Sequence, residues 1–103
     1  MKLKTKTPLE MRTLISRLLD SDPGITTFLF ESPRQTELRD SPARLLENTW
    51  ELENEDRVLV RAALDLWNGS GQVFLSEALT LNEPAFSRLL TALRQTRSRR
   101  RSP

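Results

Sequence analysis

The chain contains no cysteine, no histidine and no tyrosine. Without cysteine there are no disulfides and no thiolate nucleophile, and without cysteine or histidine the usual zinc sites cannot be built. The lack of histidine also removes the commonest general base. An enzyme would have to run on Asp, Glu, Lys, Ser or Thr, yet all three lysines stand within the first six residues, where chain ends fray. A metal site would need oxygen ligands alone. The expectation is a non-enzymatic protein with no metal and no cofactor. Long apolar runs are missing too, since nothing approaches the ~20 residues of a membrane-spanning helix. No apolar stretch follows the N-terminal lysines, as a secretory signal would require. A cytoplasmic protein with no membrane partner is expected.

What is present fits one small domain. The 103 residues are 37% hydrophobic, mostly leucine, and 29% charged, a balance that suits a folded helical chain. The net charge is only +2, but its signs are sorted by position. Lys2, Lys4 and Lys6 open the chain, and Arg94, Arg97, Arg99, Arg100 and Arg101 close it. The segment between holds the other eight basic residues and all fourteen acids, leaving it near −6. The ends are therefore built to meet an anion and the middle is not.

Helix signals recur along the body. Thr7-Pro8-Leu9-Glu10 combines a cap, a first-turn proline and a capping-box glutamate, and Met11, Leu14, Ile15, Leu18 and Leu19 follow at spacings of three and four. A helix is predicted over 8–20, stopped by Asp22-Pro23-Gly24. The β-branched and aromatic run 25–30 reads as a short strand or a buried extended segment, and 31–40 as a loop. Ser41-Pro42 opens another helix, running through Leu45 and Leu46 towards Trp50. Asn54 reads as the next cap, with Glu55 and Asp56 at the positive end of the dipole. The stripe from Val58 to Trp67 is broad enough for a central helix, with Leu59, Leu66 and Trp67 expected in the core. The glycines of Asn68-Gly69-Ser70-Gly71 can close it with a left-handed cap. Asn82 with Pro84 starts the last helix, through Phe86, Leu89, Leu90 and Leu93.

Residues 73–93 carry Leu75, Leu79, Leu81, Phe86 and Leu89, an Asn82 cap and Ser87-Arg88-Leu89. The segment resembles the helix-turn-helix of bacterial DNA-binding regulators. The resemblance implies a recognition helix over 83–94 whose first turns reach base edges. Two residues depart from it: Thr80 stands where the family favours Gly, and Glu83 would face phosphates. Within this reading Arg88 and Arg94 contact base edges or phosphates, while Arg97, Arg99, Arg100 and Arg101 add sequence-independent affinity for nucleic acid. The bland alternative is a helical hairpin whose leucines are core.

Two further patterns have competing explanations. Asn68 to Glu77 looks faintly like an EF-hand calcium loop, with Gly71 as turn glycine and Glu77 as bidentate ligand, but Leu66 falls on the first ligand position. A helix cap with a short extended piece explains the same residues. Glu51, Glu53, Glu55 and Asp56 could pair as acid and base, but solvated charge at a helix start accounts for them.

The expected architecture is mainly α, a bundle of four to five short helices, with a minor β element at 25–30 and 73–75 left open. A flexible basic arm is expected over 1–6, one helical domain over 7–96 and a disordered arginine-rich tail over 97–103. The expected function is binding, as a small DNA-associated or regulatory protein. The alternative is a protein–protein adaptor with an acidic body or an apolar groove.

Overall fold

The computed structural model describes residues 8–20, 23–30 and 37–101, so the basic arm expected over 1–6 lies outside the described residues. The fold is mainly α: six helices and no strand among the described residues. They are α1 (Pro8–Leu18), α2 (Pro23–Leu29), α3 (Pro42–Asn48), α4 (Asn54–Asn68), α5 (Leu75–Ala78) and α6 (Glu83–Arg101), with a 3-10 turn at Thr49–Glu51 after α3. No helix among the described residues is long and apolar enough to cross a membrane.

Two of the start signals act as the sequence predicts, while the expected Thr7 cap lies outside the described residues. Ser41 caps α3 by accepting a hydrogen bond from the Arg44 N–H at 3.3 Å, and Asn82 caps α6 by accepting from Ala85 at 3.0 Å. Gly69 closes α4 in the left-handed region at φ 79°, its N–H donating to the Asp65 carbonyl at 2.8 Å. One cap shifts: Glu53 stands at the N-cap of α4, and Asn54 is already helical. The Asn54 side chain is thereby released for a tertiary contact.

The segment 25–30 is not a strand. Pro23 begins α2, and Ile25, Phe28 and Leu29 then turn one apolar face to the bundle, the last of them fully buried. Burial of that face outweighs the β preference of Thr26 and Thr27, a preference that depends strongly on context. Phe30, just past the helix, is buried edge-on to Trp67 with centroids 5.2 Å apart. The guanidinium of Arg12 lies over the same ring, 3.9 Å from its centre. Burial there lowers the Arg12 pKa from its ordinary value by disfavouring the charged form.

α4 is the central helix, as its stripe predicts, but the buried stretch is Val58–Leu64. Leu59 is buried, whereas Leu66 and Trp67 are only half-buried. Phe30 covers one side of Trp67, and Leu66 lines an open groove. α6 packs along α1 and α4 through Ala85, Leu89, Ala92 and Thr96, which are all buried. The small side chains of Ala85 and Ala92 let the backbones approach. Thr96 hides its hydroxyl by donating to the Ala92 carbonyl at 2.8 Å. α6 then continues unbroken to Arg101, where the sequence predicts a disordered tail from residue 97. Arginine is a good helix former, and extending an existing helix needs no new nucleus.

Candidate interaction surface

Arg61 is the one charged residue within the buried stretch of α4, and it organises the segment that follows that helix. Its Nε donates to the Gly71 carbonyl at 3.2 Å and its Nη2 to the Gln72 carbonyl. Its Nη1 meets Glu77 Oε2 at 2.5 Å. The other Glu77 oxygen accepts from the Phe74 N–H at 3.0 Å. That backbone bond, helped by Arg61 and opposed by desolvation, holds the Glu77 carboxyl below its usual pKa.

Gly71 is buried against α4. A Cβ there would overlap the Arg61 carbonyl oxygen and come within 2.7 Å of the Asp65 backbone nitrogen. Its glycine is required by close approach, while Gln72 takes the left-handed conformation at φ 54°. Of the residues that resembled a calcium loop, Glu77 is thus held at the Arg61 guanidinium beside the Gly71 and Gln72 carbonyls. Asn68 Oδ1 in turn accepts from the Ser70 N–H at 3.0 Å and from the Ser70 hydroxyl. A single arginine inside an otherwise apolar helical stripe was the sequence signal for this clamp.

A second lock fixes the turn between α5 and α6 to the start of α4. Asn54 Nδ2 donates to Thr80 Oγ1 at 3.0 Å, and that hydroxyl donates to the Glu77 carbonyl at 2.7 Å. Glu55 accepts from the Asn82 backbone at 3.3 Å and from its side-chain amide at 3.0 Å. Of the acidic cluster, Glu55 is therefore a structural anchor, while Glu51 and Glu53 are exposed.

Held at both ends by polar contacts, α5 leaves Leu75 outward, together with Phe74 and Leu79 that flank it. Phe74 is 69% exposed, Leu75 88% and Leu79 75%. The expectation that Leu75 and Leu79 make the internal contacts of a helix-turn-helix is corrected, since α5 is a single turn fastened through Glu77. Leu81 and Leu89 are buried, and Phe86 is half-buried against the core. Phe74, Leu75 and Ala78 line an apolar groove together with Leu66, Val73, Leu89 and Leu93, and Asp65 also borders it.

The arginines expected to meet nucleic acid separate into three groups. Arg88 is half-buried and donates from Nε to the Leu18 carbonyl at 3.2 Å. It therefore secures the C-terminal end of α1 to α6 and is turned towards its own fold. Arg94 and Arg97 are exposed on α6. Arg99, Arg100 and Arg101 lie on the last turn of the same helix. Comparison with protein-family models, with curated proteins and with solved structures finds no match.

Proposed function

We propose that this chain is a non-enzymatic interaction protein that docks a partner chain on the apolar face formed by α4, α5 and α6. One observation carries the reading: Phe74, Leu75 and Leu93 are exposed and yet line a single groove. Isolated exposed leucines are ordinary on any surface, but a contiguous apolar groove has the character of a docking site. The polar locks beneath it hold the shape ready, which lowers the ordering cost of binding. The lack of histidine and cysteine supports a binding role over catalysis. The test is a photo-crosslinking residue placed at Leu75, with Arg44 on α3 as a remote control. Protein adducts from position 75, lost on Leu93→Asp and missing from position 44, support docking. No adduct from position 75 would overturn it.

A second reading has its own observation. α6 carries Arg94, Arg97, Arg99, Arg100 and Arg101 on one continuous helix, and so arginine-rich a helix end suits the phosphates of nucleic acid. It rests on the arginines of α6 alone and assigns no base contact to Arg88, which is engaged at Leu18. Gel-shift titration against random duplex at two salt concentrations decides it. Nucleic-acid binding must weaken steeply with salt, and no binding at low salt ends this reading.

A further inference from the structure

We infer that this chain pairs with a second copy of itself through α6, antiparallel, so that Glu83 of each copy lies beside Arg97 of the other. α6 carries two apolar stripes. Ala85, Leu89, Ala92 and Thr96 are buried against the body of the same chain. Beside them run Glu83, Phe86, Leu90, Leu93 and Arg97, whose spacings alternate three and four, the pattern of a coiled-coil seam. In this second stripe Phe86 is half-buried, Leu90 is 38% exposed and Leu93 44%, and both charged ends are exposed.

The charges at the ends select the occupant and its direction. A parallel copy would set Glu83 against Glu83 and Arg97 against Arg97. An antiparallel copy turned about Leu90 sets opposite charges together twice, places Leu90 against its own equivalent and brings Phe86 near Leu93. The stripe is therefore complementary to itself, which closes a two-fold dimer and leaves no open end for further growth. From Glu83 to Arg97 it runs about 21 Å. So short a seam belongs to the smaller interfaces, and Phe74 and Leu75, beside Leu93 in the groove, enlarge it.

The pairing rests on the reading of this face as a docking surface. Sedimentation equilibrium of the full chain from about 10 to 500 µM, a range suited to a small interface, should show a reversible dimer. Glu83→Arg or Arg97→Glu alone should weaken it about tenfold, because each change places like charges together at two symmetric contacts. The double exchange should restore it. The chain has no cysteine, so a second measurement is clean. Leu90→Cys should form a disulfide-linked dimer on mild oxidation and Glu83→Cys alone should not, while Glu83→Cys with Arg97→Cys should. A monomer at every concentration, a dimer indifferent to both charge changes, or a disulfide from Glu83→Cys alone would overturn the pairing. A monomer that still yields adducts with another protein from position 75 ends self-pairing and leaves docking intact. A monomer without such adducts ends both.

Discussion

The Arg61 guanidinium and the Glu77 carboxylate, sixteen residues apart in the chain, meet at 2.5 Å where the segment after α4 folds back on that helix. The arginine is nearly enclosed and the carboxylate partly so, with side-chain exposures of 11% and 27%. Its value lies in what surrounds it, because the same guanidinium also satisfies two backbone carbonyls. Removing the arginine would leave those acceptors and a carboxylate without their donor. Arg61→Ala should therefore cost about 2–4 kcal/mol, in the range for breaking a buried charged pair. Urea unfolding at neutral pH measures it, and a loss below about 1 kcal/mol, the size of an exposed ion pair, would show that the clamp is incidental.

The same carboxylate sets a pH dependence. Glu77 has a lower pKa folded than unfolded, first through the Phe74 N–H and then through Arg61. Its stabilisation is complete above the ordinary value of 4.5 and is lost as pH falls through the lower folded value. Denaturation midpoints taken on the acid side of neutrality should fall, and Glu77→Gln should flatten that part of the curve. An unchanged acid limb in the variant would assign the dependence to other carboxylates.

Gly71 and Gly69 should respond differently to alanine. At Gly71 the new Cβ would run into the backbone of Arg61 and Asp65, so the segment must move. At Gly69 nothing lies within 4 Å, and only the left-handed backbone is strained. Gly69→Ala should cost about 1–2 kcal/mol. Gly71→Ala should cost about 2–3 kcal/mol, as overpacking against rigid neighbours does. Thermal unfolding of the two variants checks the order, and the reverse order would contradict the close packing of Gly71 on α4.

Leu64 and Leu66 separate the buried stretch of α4 from its emerging end. Leu64 is fully buried, and Leu64→Ala should cost about 2–5 kcal/mol. Leu66 is half-buried and lines the groove, and Leu66→Ala should cost about 1 kcal/mol, in proportion to the smaller area covered. Equal losses at the two positions would mean that the groove is closed.

Asn82 both caps α6 and donates to Glu55. Asn82→Ala should cost about 1–2 kcal/mol, the upper range for a helix cap. A double-mutant cycle with Glu55→Ala should return a coupling of about 0.5–1.5 kcal/mol, as expected for residues in one hydrogen-bond network. Strict additivity would reduce Asn82 to a local cap.

Most of the helix boundaries were legible because their signals are local. Pro8, the Ser41-Pro42 pair, the Asn82 cap and Gly69 act through atoms a few residues away, so short segments suffice to read them. The run 25–30 was not legible, since its β-branched residues and its helical apolar spacing disagree and burial against α1 and α4 decides between them. Arg88 shows the same limit at the candidate site. Its place near the start of α6 suggested an outward-facing contact, but the carbonyl it reaches belongs to Leu18, seventy residues earlier.

The sequence by itself determined a mainly helical chain, its principal helices and the cationic composition of its ends, because these follow from neighbouring residues and from counting. Only the tertiary structure decided which apolar faces were used. Leu75 and Leu89 are equally apolar as letters, yet one is turned out by the grip of Arg61 on Glu77 and the other is covered by the bundle. Burial is a relation between distant segments, and the polar contacts that tilt α5 outward join residues sixteen to twenty-seven positions apart. The apolar surface left for a partner is the remainder of that packing, and no local pattern records it.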